Sequence, residues 1–248
     1  MNIIICISSV PDTTSKINFS DDSTELNKNG VQFIINPYDE FGLTKAIIIK
    51  EKFGGNVTVI TVGEASVEPV IRKALAIGAD NAIRINAKAT DSFFTANEIS
   101  NYLKDTTYDL IITGRESIDY NGGAVGGMIA EFLNLPFINA CNGLTIEGDT
   151  AKLNREIDGG KEKISSKLPL VIAGQKGLVE EADLRIPNMR GIMQARSKPL
   201  KVLEPTSNNY LTSSVNFKKP LEKGACKLVE SGNEAELVNL LHTEAKVI

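Results

Sequence analysis

The stretch Gly114-Arg115-Glu116-Ser117-Ile118-Asp119-Tyr120-Asn121-Gly122-Gly123-Ala124-Val125-Gly126-Gly127 follows an apolar run at residues 108–113 and precedes an amphipathic one at residues 128–135. The layout reads as strand, glycine-rich turn, helix. Glycines let a backbone approach a bound anion, and the free N–H groups and positive dipole end of the following helix favour a phosphate there. The spacing fits neither the dinucleotide fingerprint G-x-G-x-x-G nor the phosphate loop G-x-x-x-x-G-K-[ST], because the glycines come in pairs and no Lys-Ser or Lys-Thr follows. Two readings stand: a nucleotide phosphate site, or a tight turn with close helix packing.

The rest of the chain sets that unit in a repeating rhythm. Residues 3–7 form a continuous apolar, β-branched run of the kind that fills a strand buried on both faces. Residues 16–35 alternate around a polar stretch and predict a hairpin or excursion. Asn36-Pro37 then starts a helix through Phe53, with Asp39 and Glu40 in its first turn and Gly54-Gly55 at its end. A strand at 56–62, a helix at 67–77 with Ser66 as cap and Gly78 as stop, a strand at 82–85 and a helix at 94–104 follow. Strands alternating with helices predict an α/β fold with a doubly wound, mainly parallel sheet, whose ligands sit at the carboxyl ends of the strands.

After Pro136 the rhythm changes. Short β-type runs at 144–147, 151–157, 162–166 and 170–173, separated by Gly148-Asp149 and Asp158-Gly159-Gly160, predict antiparallel additions to the sheet. Residues 175–199 read as a long irregular loop, which is usually functional or a linker. Residues 205–220 read as an extended linker, and Ser231-Gly232-Asn233-Glu234 as a capping box for a last helix at 235–246. The division expected is an α/β domain over residues 1–200 and a C-terminal arm over 201–248 that folds back or embraces a partner subunit.

Composition narrows the chemistry. A chain of 248 residues that is 42% hydrophobic has ample material for a buried core. A net charge of −4 with dispersed basic residues argues against a nucleic-acid partner. No apolar run approaches the roughly 20 residues of a membrane helix, and Met1-Asn2-Ile3 leads into a strand-like segment without a basic leader, so a cytoplasmic protein with no membrane insertion is expected. Cys6, Cys141 and Cys226 are too few and too scattered for a disulfide framework or a metal site. His242, the one histidine, lies near the C-terminus, which removes the usual general base.

Several separated segments resemble those of the electron transfer flavoprotein β-subunit family. They are Val10-Pro11-Asp12-Thr13, Asn36-Pro37-Tyr38-Asp39-Glu40, Ile71-Arg72-Lys73-Ala74-Leu75-Ala76-Ile77-Gly78-Ala79-Asp80, the glycine-rich stretch, Arg155-Glu156-Ile157-Asp158-Gly159-Gly160 and Leu168-Pro169, in family order across residues 2–200. The resemblance implies an adenine nucleotide alpha-hydrolase-like domain with an arm that wraps onto an electron transfer flavoprotein α subunit. It implies a redox FAD held mainly by that α subunit near the interface, so that this chain completes the flavin site. Electrons would come from acyl-CoA or other flavin dehydrogenases and pass to a quinone oxidoreductase or other acceptor. No catalytic acid or base is then needed, because the redox chemistry is the cofactor's.

The resemblance also implies a nucleotide in this subunit: AMP in most members, a second FAD in electron-bifurcating ones. The positions that match are Cys6, Asn36, Asp39, Val62, Glu64, Asp119, Gly122, Gly123, Ala124, Val125 and Gly126. Many AMP-binding members carry Asn-Gln-Thr-Gly where this chain has Gly123-Ala124-Val125-Gly126, and bifurcating members carry Ala-Gln-Val-Gly, so neither pattern is met; AMP is the favoured reading. Tyr38 and Thr13 align with positions near the flavin, although Tyr38 also suits a helix cap. Glu156 matches a carboxylate that meets the mobile flavin domain and also suits a solvated strand. The loop over residues 175–193 coincides with the family's partner-recognition loop, whose exposed leucine plugs an apolar pocket on the dehydrogenase, and here Leu178 and Leu184 are the candidates. Arg185, Arg190, Arg196 and Lys198 would steer acidic partners or contact the α subunit. A reading from another class is a stand-alone adenine-nucleotide-binding regulator or nucleotidyl-transfer enzyme on the same fold.

Overall fold

In a computed structural model, which describes residues 1–222 and 224–248, the chain builds one nine-stranded sheet. The strands are β1 (Asn2–Cys6), β4 (Asn56–Val62), β5 (Asn81–Ile85), β6 (Leu110–Gly114), β7 (Phe137–Glu147), β8 (Thr150–Ile157), β9 (Gly160–Lys167), β10 (Leu170–Gly174) and β11 (Leu200–Leu203), in the spatial order β11-β5-β4-β1-β6-β10-β7-β8-β9. All neighbours from β11 to β7 run parallel, and β8 and β9 extend the sheet antiparallel. A two-stranded ribbon, β2 (Ser9–Pro11) with β3 (Phe33–Ile35), stands apart.

The isoleucine run of β1 explains the layering. Successive side chains alternate across a strand. Ile3 and Ile5 join one buried cluster with α1 (Pro37–Phe53) and α2 (Glu68–Ile77), through Leu43, Ile47, Ile71 and Leu75. Ile4 and Cys6 join the other with α3 (Ser92–Leu103) and α4 (Val125–Leu133), through Phe94, Ile99, Leu103 and Ile129. Helices on both faces make the sheet doubly wound, as the alternation of elements predicts. The chain leaves β1 for β4 on one side and later places β6 on the other, so the topological switch point lies at β1, whose neighbours are β4 and β6.

Several local expectations are corrected. Ser66 does not cap α2: it lies in a 3-10 turn, Ala65–Val67, and Pro69 stands in the helix's first turn instead. The glycine pair at 126–127 belongs to α4, which starts three residues ahead of the expected start, because tertiary packing accepts glycines in a first turn. Residues 16–35 supply one bridge, Phe19 to Leu26, and their last strand pairs back to β2. The irregular segment after β10 contains α5 (Met189–Ala195), capped by the Asn188 side chain accepting the Gly191 N–H at 2.7 Å. The motif Ser231 to Glu234 forms no capping box: α6 (Glu234–Leu240) has Asn233 at its N-cap without a side-chain cap, and the Glu234 carboxylate accepts the Gly232 N–H.

Candidate functional site

The carboxyl ends of β1, β4 and β6 converge on the start of α1. Asn36, at the N-cap of α1, is buried, and its side chain faces the glycine-rich segment: Nδ2 donates to the Glu116 carbonyl at 2.9 Å and Oδ1 accepts the Ile118 N–H at 3.2 Å. Asp39, one turn on and 3% exposed, accepts the Ser8 N–H at 2.7 Å, and its Oδ1 packs against Gly114. A single carboxylate therefore sits between β1's exit and β6's exit. Burial lifts the Asp39 carboxyl to about 7, against the pull of the Ser8, Asn36 and Gly114 hydrogen bonds; the charge of Asp119 adds to the rise.

Gly114 is the backbone position this arrangement demands. A Cβ there would collide with the Asp39 carboxylate and come within 3.0 Å of Tyr38 Cβ and 3.1 Å of Asn36 Nδ2. Cys6 sits buried at the end of β1, and its thiol is pushed far above the ordinary range by burial and by the neighbouring Asp39 charge, so it is an inert neutral group. Val62 ends β4, buried, and Glu64 follows it, exposed.

The glycine-rich segment leads from β6 into α4. Asp119, Gly122 and Gly123 are exposed; Gly123 takes φ +59°, the left-handed region that glycine tolerates. Ala124 is the N-cap of α4 and supplies no side-chain bond, so the N–H groups of Val125, Gly126 and Gly127 stand at the first turn with no helical carbonyl to meet. The close-packing reading of the glycines is met. A Cβ on Gly126 would lie 2.6 Å from Thr113 Oγ1 and 3.1 Å from Phe137, which is close packing, while the free donors and dipole end are what an anion requires.

The structure brings Cys6, Asn36, Asp39 and the 114–126 segment together, with Val62 and Glu64 at the flanking strand end. Tyr38, half-buried, borders Gly114, and Thr13 is exposed beyond β2. Glu156 is exposed near the end of β8, where its carboxylate accepts from Asn142 Nδ2 at 3.1 Å and Gln175 Nε2 at 2.8 Å; Arg115 of the glycine-rich segment donates to the same Gln175. Ser8, Gly114, Arg115 and Gln175 are the contributors that sequence reading did not single out.

One expectation is overturned outright. Leu178 is 3% exposed and belongs to the core, its Cδ2 pressed against Gly174, so it cannot plug a partner's pocket. Leu184 is half-buried against the same core. The exposed apolar side chains of the loop are Ile186 (81%), Met189, Ile192 and Met193, and Ile186 borders a cavity of about 620 Å³ lined by Ile48 and residues 182–186 and 188. Of the basic run, Lys198 is spent on the Leu75 and Ala79 carbonyls at the end of α2, and Arg185 pairs with Glu51. Arg190 and Arg196 make no ion pair among the described residues.

The sequence matches the electron transfer flavoprotein domain family over residues 24–208. The chain belongs to the electron transfer flavoprotein family. It is 37% identical, over all of both chains, to the electron transfer flavoprotein subunit beta of Bacillus subtilis. It is 33% identical to Protein FixA of Azotobacter vinelandii across 82% of this chain and 74% of that one, and 33% identical to the acryloyl-CoA reductase electron transfer subunit gamma of Anaerotignum propionicum across 82% and 78%. Membership makes this electron transfer flavoprotein chain an electron-transfer protein. No helix among the described residues is long and apolar enough to cross a membrane, and no cluster among them could hold a metal ion.

The raised Asp39 carboxyl carries a prediction. The folded protein favours the protonated form, while an unfolded chain releases that proton above about 4. Asp39 therefore costs stability as pH rises from about 4 to about 7 and adds no slope above that. Urea denaturation at pH 5 and pH 8 should show a smaller difference between the two pH values in Asp39→Asn than in wild type; an unchanged difference refutes the assignment.

Proposed function

We propose that this chain is the β subunit of a heterodimeric electron transfer flavoprotein, which binds AMP at the β1–β6 switch point and completes an FAD site held by an α subunit. Acyl-CoA or other flavin dehydrogenases donate the electrons, and a quinone oxidoreductase or other acceptor takes them, in the cytoplasm. The observation that carries the nucleotide part is the buried Asn36–Asp39 pair set against a glycine-rich helix start whose first N–H groups lack partners. Those groups suit a phosphate of one mononucleotide: Val125, Gly126 and Gly127 offer backbone donors, while Asn36 fixes the loop that presents them. FAD, when bound, supplies the one- and two-electron chemistry. The residues here orient and shield; Glu156, Gln175 and Arg115 form an ordered polar edge suited to meeting a flavin-bearing domain.

The test is to co-express the chain with a candidate α subunit, denature the purified complex and count released nucleotides. One FAD and one AMP per heterodimer supports the reading; two FAD would place it with bifurcating carriers; no complex and no flavin overturns it. Gly123→Asp should remove the AMP, since a carboxylate would face the phosphate where backbone now lies, and undiminished AMP would refute that placement.

A further inference from the structure

Residues after β11 do not leave the domain at once. Asn86 donates from its backbone to the Leu203 carbonyl and from Nδ2 to the Glu204 carboxylate at 3.2 Å. Its Oδ1 accepts from buried Arg84 at 2.7 Å, and Arg84 also donates to the Gly63 carbonyl at 2.9 Å, in the turn between Val62 and Glu64. The root of the arm and a flank of the nucleotide cleft thus share one network.

The next residues are held by two carboxylates of α3 and its cap. Glu98, only 1% exposed, accepts the Thr206 N–H at 2.6 Å, the Ser207 N–H at 3.0 Å, the Ser207 hydroxyl at 2.8 Å and the Thr206 hydroxyl at 2.9 Å. Asp91 accepts the Leu211 and Thr212 N–H groups at 2.7 and 2.8 Å while its other oxygen caps α3. Further on, Phe217 stacks on Phe19 at 5.1 Å and donates its N–H to Ser23, and Lys219 reaches Asn18. Pro205, Asn208 and Tyr210 of this segment border a cavity of about 430 Å³ whose other side includes Glu64, Lys88 and Phe94.

We propose that residues 204–219 form a strap across the β4–β5 flank of the nucleotide cleft, that Glu98 is the positioning residue that holds it shut, and that nucleotide exchanges when the strap lifts. The proposal rests on the nucleotide reading above. The chemistry of the holdfast favours a gate over a permanent weld. Glu98 is satisfied by four donors when covered, and it regains water when uncovered, so opening loses hydrogen bonds without stranding a charge in an apolar site. An apolar side chain at the same place would give no such alternative.

The experiment is exchange of isotope-labelled AMP, in both directions, on the full-length chain and its Glu98→Gln and Tyr210→Ala variants. A glutamine keeps one acceptor oxygen and loses the charge, so Glu98→Gln should speed AMP release and AMP uptake each on the order of tenfold, with the equilibrium affinity nearly unchanged. Tyr210, 54% exposed, trims the roof without touching the holdfast and should speed both rates by a smaller factor. A merely structural role would weaken affinity through release alone. Exchange rates equal to wild type in both variants overturn the strap while leaving the nucleotide site standing, whereas a wild-type chain that binds no AMP overturns both.

Discussion

Gly114→Ala should destabilise the protein by roughly 3 kcal/mol and empty the proposed nucleotide site. The methyl group enters a place already filled by the Asp39 carboxylate, Tyr38 Cβ and Asn36 Nδ2. Overpacking of this kind typically costs about 1–3 kcal/mol. Any shift of Asp39 also releases the half-buried Ser8 N–H, which adds about 1–3 kcal/mol where no water can take its place. For a chain of this size each kcal/mol moves the melting temperature about 2–4 °C, so a fall near 10 °C is expected by calorimetry. Gly160→Ala is the control: a Cβ there meets nothing within 4 Å, and its effect should stay within about 0.5 kcal/mol. Equal melting of the two variants would mean that the β1–β6 junction yields without strain and that Asp39 does not bind the two strand exits together.

What the sequence reveals of this molecule follows from how local each signal is. Asn36-Pro37 and Gly54-Gly55 bracket α1 to the residue, because a proline at a helix start and glycines past its end act within one turn. The run at 56–62 is β4 end to end, since a strand buried on both faces is marked by a run of β-branched residues. The first half of β7 is invisible by contrast: Phe137 to Gly143 mixes Asn and Gly with apolar residues, and its place is fixed by β10 alongside. β11 pairs with β5 from far along the chain, and four residues carry no period of their own. The two serine cap signals, Ser66 and Ser231, are local preferences the chain leaves unused: Ser66 sits in a 3-10 turn, and the Glu234 carboxylate takes the Gly232 N–H instead. The cluster at the β1–β6 strand ends is legible at Asn36, Asp39 and the glycine-rich stretch by resemblance, whereas the role of Gly114 needs the distance to Asp39. Exposure is the least local property of all: Leu178, a leucine in a charged loop, looks free in the sequence until the core closes on it.

The loop itself yields the last prediction, which separates docking from stability. Ile186 stands 81% exposed between Arg185, held by Glu51, and Pro187, so the side chain is presented on a backbone pinned from both sides. A lone exposed apolar residue means little on a surface. One held rigidly beside further exposed methionines and two unpaired arginines has the makings of a binding anchor, because little entropy remains to be lost on contact. In the proposed heterodimer, with an acyl-CoA or other flavin dehydrogenase as the proposed donor, Ile186→Asp should slow flavin reduction on the order of thirtyfold, the loss of about 2 kcal/mol that defines a hot spot. Flavin content and melting temperature should not move, since the side chain supports nothing within the chain. Leu178→Ala should do the converse. It removes a core leucine and costs roughly 2–5 kcal/mol of stability, while reduction by the dehydrogenase below the melting transition keeps its wild-type rate. Slowed reduction in Leu178→Ala with an unchanged melt would restore the leucine as the anchor, and unaltered reduction in Ile186→Asp would remove this loop face from the electron-transfer contact.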